Sequence, residues 1–479
     1  MKISNIQIET QRLLLKPISL DYKDDIFQEF TPEITIYLFS KAPDRIEETI
    51  EFIEGAIKKN NEGKAFQAVI LDKSTGEFLG CAGLHRIDTQ TPELGIWIKK
   101  SAHGNAFGEE TIFALKKWVD ENLDCEYLIY PVDKRNIASK RIPELMGGIV
   151  NREYKKMNMS SNELYIIEYR IMNKTELTQK IKLFSRELGF SLVGISQPEI
   201  LAEESERLDN WISNDYHADM KWIENRVKER KNIFQYYPEV KSVISVGLNY
   251  FPKNSTDEMK ISNYALGDDY HDLMKSKLYQ LLKRIQEIDE NVKGIACVDT
   301  SPVLDRVWAQ KSGIGWIGKN SMVISKEFGS WIFLGELLLN IELEIDNPID
   351  DFCGSCSKCI DACPTGALVE PYQVDANRCI SYLTIEKRGE IDRELSDKFN
   401  GWIYGCDICQ QVCPWNVKLS KITEIEEFHE RGLIKKHSQE NWENLTEEEF
   451  RDVFRKSAVK RTKFAGLKRN IEIIKENKK

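Results

Sequence analysis

The chain has 479 residues, room for two or three domains at one per ~150 residues. Apolar residues make up 41% and charged residues 30%, the mix of a protein that buries real cores. No stretch approaches 18 consecutive apolar residues, and Met1–Pro17 lacks the apolar core of a secretory signal, so no membrane partner and a cytoplasmic location are expected.

Residues 1–172 read as one α/β unit. Its expected elements are an opening strand over 6–17, a helix over 44–59, and strands over 66–71, 78–84 and 93–99. A helix over 108–122 and a last strand over 164–171 complete it. A second unit opens at Asn173 with a helix ending near Gly189. A β-branched strand over 240–248 and an amphipathic helix over 272–287 follow. Beyond Asp350 the pattern becomes short cysteine-rich loops, and after Glu426 it is helical and charged. The expected division is 1–172, 173–345, 346–425 and 426–479. Net charge is −10, against blanket nucleic-acid binding. From Arg455 to Lys479, however, ten Lys or Arg face only Glu472 and Glu476, which suits either a phosphate-facing surface or a solvated helix face.

Of eleven cysteines, Cys81, Cys125 and Cys297 stand alone and eight fall between Cys353 and Cys413. The run Cys353, Cys356, Cys359, Cys363-Pro364 is C-x2-C-x2-C-x3-C-P, the ferredoxin spacing for a 4Fe-4S cluster. In two-cluster proteins the fourth cysteine of such a run serves the neighbouring cluster. The second run, Cys406, Cys409 and Cys413-Pro414, lacks one ligand, which Cys379 supplies. The expected cages are therefore Cys353, Cys356, Cys359 and Cys413 for one, and Cys363, Cys379, Cys406 and Cys409 for the other. Zinc knuckles would instead place paired cysteines roughly 15–20 residues apart.

Upstream, Asp299 ends an apolar strand ahead of Pro302, a placement that suits a functional carboxylate or a turn former. Gly313-Ile314-Gly315-Trp316-Ile317-Gly318-Lys319-Asn320-Ser321 is a glycine-rich turn able to let backbone approach a large ligand.

These residues carry a resemblance. With Tyr264 to His271, Cys379 to Thr384, Tyr404 to Gln410 and Cys413 to Asn416, the segment from about 175 onward resembles the epoxyqueuosine reductases. The resemblance implies reduction of epoxyqueuosine to queuosine at the tRNA wobble position, with two 4Fe-4S clusters and cobalamin as cofactors. It implies a low-potential electron donor, and Asp299 as proton donor, kept protonated by an apolar pocket. Cobalamin contacts would fall on Arg230, Ser262, Asp299, Lys319, Asn320, Ser321, Ser381 and Asp407. Longer members of the family carry a helical-repeat extension after the region matching Arg469-Asn470-Ile471.

Residues 1–172 resemble the GNAT N-acetyltransferases, in the branch acting on ribosomal-protein N-termini. The carriers are Glu9 to Pro17, Glu93 to Ile98, His103 to Gly108, and Asn136, Ser139 and Gly147-Gly148. This resemblance implies acetyl-CoA held by His103, Gly104, Asn105, Ala106, Gly108 and Asn136, with an unknown amine acceptor. Ser139 would protonate the leaving thiolate; no residue stands out as general base, and Glu93 is the candidate. His103 and Ala106 replace an arginine and a glycine of the usual loop, and Pro143 is expected to kink the helix after Asn136.

The expected fold class is α/β and α+β: a GNAT-like mixed sheet, then an α/β cobalamin-binding reductase domain with a ferredoxin-like two-cluster insert. The rival readings are another cobalamin-dependent reductase of the dehalogenase kind, and an electron-transfer module behind a non-catalytic GNAT domain. A twin-arginine signal, usual in dehalogenases, is not seen.

Overall fold

Eight strands of the first unit form one sheet, β1 (Ile8–Glu9), β2 (Leu13–Pro17), β3 (Ala65–Asp72), β4 (Phe78–His85), β5 (Glu93–Ile98), β6 (Tyr127–Asp133), β7 (Ile149–Met157) and β8 (Glu163–Met172), in the order β1-β2-β3-β4-β5-β6-β8-β7. The computed structural model describes residues 6–252, 259–435 and 437–478. It divides into two units, Met1–Lys180 with Ile285–Asn291, and Ile181–Arg284 with Val292–Lys479.

In the first unit, alternation along the strands sends Leu13, Leu15, Phe66, Ile70 and Leu94 to one face, against Ile112, Leu115 and Val119 of the helix Phe107–Asn122. The opposite face packs Val69 and Cys81 against Ile53 and Ala56 of the helix Ile46–Glu62. That helix ends at Gly63, whose φ of +73° makes the usual left-handed cap. The single opening strand expected over 6–17 is broken instead. Thr10 turns the chain there, its Oγ accepting from Leu13 N at 2.8 Å. Strand β7, exposed along its length, carries no apolar alternation that sequence reading could detect. β5 and β6 run parallel and pair at Glu93 opposite Ile129, while the other neighbours in this sheet are antiparallel.

The second unit holds an antiparallel sheet of β9 (Leu192–Ser196), β10 (Ser242–Asn249), β11 (Gly294–Cys297) and β12 (Ile332–Leu339), ordered β11-β12-β10-β9. β10 is buried at every position, as its β-branched run requires. The helix Tyr270–Gln286 lies on β12; a Cβ on Gly335 would meet Met274 and Leu278 at 3.0 and 3.2 Å.

A further core gathers Phe399, Trp402 and Tyr404 with Leu467, Ile471 and Ile474 of the C-terminal helix Lys463–Glu476. The basic end is thus partly architectural. Arg469 donates to the carbonyls of Leu383, Lys387 and Gly389, and Arg461 pairs with Glu386 at 2.7 Å. Among the described residues no helix is long and apolar enough to cross a membrane.

Leu337 is fully buried in β12. Replacing it by alanine is expected to cost about 2–5 kcal/mol, seen as an earlier unfolding transition of the second unit in denaturant. A transition unmoved by that substitution would contradict the core described here.

Candidate active site

In the first unit, the turn ahead of the helix Phe107–Asn122 places Gly104 at φ +83° and Ala106 at φ +58°. Ala106 therefore holds the left-handed conformation that a glycine would adopt more cheaply. His103 Nε2–H donates to Ile98 O at 2.9 Å and Asn105 Nδ2 donates to Ala102 O at 3.2 Å, fixing the turn. Gly108 sits one residue into the helix, where a Cβ would make ordinary contact with Ile142 at 3.6 Å. Glu110, in the first helical turn, is neutralised by Arg12 at 2.6 Å.

Asn136 caps the helix Ile137–Leu145, its side chain accepting from Ser139 N at 3.2 Å. Ser139 shares a 2.8 Å hydrogen bond with the buried Tyr130, whose hydroxyl burial pushes up to about 12. Tyr130 was not legible as part of this site. The helix runs on through Pro143 to Leu145, and the Pro143 carbonyl accepts from Gly148 N at 2.8 Å. Glu93 is half-buried, opposite His85 across the ladder and 3.3 Å from Arg86.

In the second unit, Asp299 stands in the loop after β11 at φ +48°, a strained conformation for a residue with a Cβ. Its Oδ2 lies 3.0 Å from His271 Nε2, and His271 Nδ1 lies 2.7 Å from Asp269 Oδ1. The imidazole stacks on Tyr270 at 4.1 Å, and Tyr270 stacks on Phe333 at 4.2 Å. Burial alone would depress the His271 pKa. The two carboxylates outweigh it and raise the pKa to about 9.

For Asp299, burial would raise the pKa, but the His271 hydrogen bond and charge, with Tyr270 and Arg306, hold it below the usual carboxylate range. This corrects the expectation of a protonated Asp299 in an apolar pocket. The side chain keeps 58% of its surface open, and near neutral pH the proton sits on the imidazole between two carboxylates. His271 lay in a motif the sequence displayed, but nothing in its spacing paired it with a carboxylate 28 residues away.

The glycines of the Gly313–Ser321 turn serve its own packing. A Cβ on Gly313 would meet Asn347 O at 2.5 Å, and one on Gly315 would meet Ile324 O at 2.4 Å. The turn instead joins both cysteine loops. Lys319 Nζ donates to the carbonyls of Gly354 at 2.5 Å and Cys356 at 3.0 Å, and Asn320 Nδ2 donates to Cys409 O at 3.5 Å. Ser321 sits at φ +61° with a buried hydroxyl lacking a partner, its carbonyl accepting from Arg306 at 2.8 Å.

Arg230 is buried beside Trp222, its guanidinium 5.6 Å from the ring centre and its Nε unpartnered. Ser262 donates to Asp407, and Asn263 N donates to the same carboxylate at 2.8 Å. Those two expected cofactor contacts are thus bonded to each other. Ser381 lies half-buried in the helix Ile380–Ile385.

Cys353, Cys356, Cys359 and Cys413 line one cavity of about 350 Å³, with Asn320, Phe352 and Trp415. Cys406 lies within electrostatic reach of Cys379 and Cys363, and Cys409 within reach of Cys379 and Cys406. Cys409 is also within reach of Cys359, so the cavity groups the first four thiols while the other four neighbour both one another and that cavity. Thiols spread round a void suit a cube of iron and sulfide. Among the described residues no three His, Cys, Asp or Glu side chains converge to hold a single ion.

Such paired cages beside a carboxylate–imidazole site define a redox enzyme of the two-cluster kind, with an acyltransferase-type sheet ahead of it. Family models agree: the acetyltransferase (GNAT) domain matches residues 12–149, the epoxyqueuosine reductase QueG DUF1730 region 230–300, and the 4Fe-4S double cluster binding domain 352–416. The epoxyqueuosine reductase of Leadbetterella byssophila is 45% identical over 303 residues, covering 63% of this chain and 99% of that one. The Escherichia coli reductase is 41% identical over 312 residues, covering 63% and 81%. A solved epoxyqueuosine reductase bound to an epoxyqueuosine-modified tRNA-Tyr stem loop superposes with a TM-score of 0.56 at 30% identity, covering 62% of this chain and 80% of that one. The chain belongs to the epoxyqueuosine reductase family, carried behind a GNAT acetyltransferase domain.

By NMR, His271 is expected to titrate near pH 9, and in Asp269→Asn to fall toward the ordinary value of about 6.5. Titration of the wild-type ring near 6.5 would show that the two carboxylates do not hold it.

Proposed function

We propose that the second unit reduces epoxyqueuosine in tRNA to queuosine, with His271 and Asp299 delivering protons. Converting an epoxide to an alkene and water consumes two electrons and two protons. The observation that carries the reading is the Asp269–His271–Asp299 chain, connected through Tyr270, Tyr264 and Ser262 to Asp407 of the Cys406–Cys409 loop. That arrangement supports a site at which protons and electrons would meet.

Three groups are required that the chain does not itself supply. The two cages fit 4Fe-4S clusters by donor number and by the cavity between the first four thiols. Cobalamin would be held by Arg230 and Ser321, whose buried Nε and Oγ have no protein partner, with Lys319 and Asn320 shaping the turn. When bound, it would supply low-valent cobalt as the nucleophile for the epoxide. Asp299, itself ionised, would relay to the epoxide oxygen a proton drawn from the His271 imidazolium 3.0 Å behind it. Asp269 keeps the ring oriented and charged. Lys460 and Arg461, whose charges reach Asp269 and Asp299, lie where the backbone of a tRNA loop would be drawn.

The first unit is read as an N-acetyltransferase. The fixed turn His103–Ala106 at the start of a helix suits an acetyl-CoA pyrophosphate, and Tyr130 holds Ser139 toward the leaving thiolate. Ser139→Ala should leave acetyl-CoA binding by calorimetry within about twofold and slow transfer to an amine peptide roughly 10²-fold. Failure of the wild type to bind acetyl-CoA would refute this half.

For the reductase, Asp299→Asn should slow queuosine formation, read by nucleoside mass spectrometry under anaerobic conditions, roughly 10²–10⁴-fold. Because His271 carries its proton up to about pH 9, the wild-type rate should hold through neutrality and fall above about 9. In Asp269→Asn that limb should move to lower pH. Full activity in Asp299→Asn would overturn the proton assignment.

A further inference from the structure

We propose that His85 is the general base of the first unit, taking a proton from the acceptor ammonium; this deepens the acetyltransferase reading and rests on it. The β-ladder sets the placement. His85 pairs with Glu93 across β4 and β5, and Gly83 pairs with Gly95 two positions along, so all four face one side of the sheet. The imidazole lies over the two glycines. A Cβ on Gly83 would meet His85 Nε2 at 2.5 Å and Cε1 at 2.7 Å, and one on Gly95 would meet Nε2 at 3.6 Å. The ring thus reaches from β4 across to β5, and the missing side chains at 83 and 95 make its room.

That place borders a gap in the sheet. Among the described residues, the parallel strands β5 and β6 pair only at Glu93 opposite Ile129, with Ile129 N donating to Pro92 O at 2.8 Å. Beyond that pair the two strands part, and Gly95 stands on the edge of the opening. Adjacent paired strands lie about 4.8 Å apart, so an imidazole over Gly95 is roughly one strand spacing from it. Tyr130, next to Ile129, faces the opposite side of the sheet, where it holds Ser139 at 2.8 Å. The His103–Ala106 turn follows the far end of β5. A pantetheine arm entering from that turn would run back along β5, with Ser139 on one face of the sheet and His85 on the other.

The ring is also free to act. His103, His217, His271 and His437 each engage a carbonyl or carboxylate, whereas among the described residues nothing bonds the ring nitrogens of His85. Burial, with Lys59 of the helix Ile46–Glu62 and Arg86, holds its pKa below the ordinary value, so the imidazole is neutral at pH 7 and can accept a proton. The other groups around it are engaged. Glu93 lies 3.3 Å from Arg86, and Lys64 lies 2.9 Å from Glu62. Tyr154 approaches Glu93 and Arg86 from β7 with its pKa raised, and Asn60 bonds the backbone of Gln67 at 2.8 and 3.0 Å. In the reaction the ammonium gives one proton to His85, and the freed nitrogen attacks the thioester carbonyl. As the N–C bond forms and the C–S bond breaks, the second N–H proton passes through Ser139 to the thiolate. His85 then releases its proton to water.

The test uses the full chain, acetyl-CoA, and a pool of lysine-free tripeptide amides bearing every N-terminal residue, with thiol release as the readout. By NMR the His85 ring should titrate below the ordinary value of about 6.5, and its resonances should move when acetyl-CoA is added. The wild-type kcat/KM should rise with pH through that same value. His85→Asn should lower kcat/KM roughly 10²-fold and lose that limb, while acetyl-CoA affinity by calorimetry stays within about twofold. Glu93→Gln should keep the limb. Unchanged rate and limb in His85→Asn, or a limb removed by Glu93→Gln instead, would overturn the proposal. So would a His85 ring unmoved by bound acetyl-CoA, a result that needs no variant to fold, and so would bound acetyl-CoA with no peptide acetylated. A wild type that binds no acetyl-CoA would refute the acetyltransferase reading itself, whereas bound acetyl-CoA with a silent His85 refutes only the assignment of the base.

Discussion

The second unit is organised by its two cysteine loops, which lie in a 4Fe-4S double cluster binding region. In the proposed assignment each run gives its last thiol, Cys363 or Cys413, to the cage built mainly by the other. Two loops some forty residues apart in sequence would then have to fold onto each other before either cage is complete. The rest of the unit serves those loops. Lys319 and Asn320 pin the Gly313–Ser321 turn to one loop each. Asn416, behind Cys413, is fixed by Ser330 at the edge of the sheet, and Thr384 accepts Gly405 N beside Cys406.

Around that scaffold the polar groups divide into those already satisfied and those left open. Ser262 donates to Asp407, which lies between Cys406 and Cys409 in sequence. Arg230 Nε and Ser321 Oγ remain buried without partners, an expensive arrangement unless a polar ligand completes it. The strained φ of Asp299 belongs to the same economy, since backbone strain persists where surrounding structure enforces a functional geometry.

What the sequence revealed depended on how local each signal was. The cysteine cages were legible because iron–sulfur ligation is written in short spacings and the C-P ends. The helices Ile46–Glu62 and Tyr270–Gln286 were legible because one apolar face repeats at helical period. Strand β7 was not, since both its faces are exposed. The charge state of Asp299 also escaped, because it is set by His271, brought close only by the packing of Tyr270 on Phe333. The glycines of the Gly313–Ser321 turn misled in the other direction: they answer to Asn347 and Ile324 rather than to a ligand.

The most direct test is iron analysis and electron paramagnetic resonance of two single variants, Cys413→Ala and Cys406→Ala, compared with Cys353→Ala. The crossed assignment predicts that each retains about four irons, one cube. It further predicts that Cys413→Ala keeps the same surviving signal as Cys353→Ala, while Cys406→Ala keeps the other. A Cys413→Ala protein whose signal matches that of Cys406→Ala would mean each run builds its own cage, and the account of the second unit would fail.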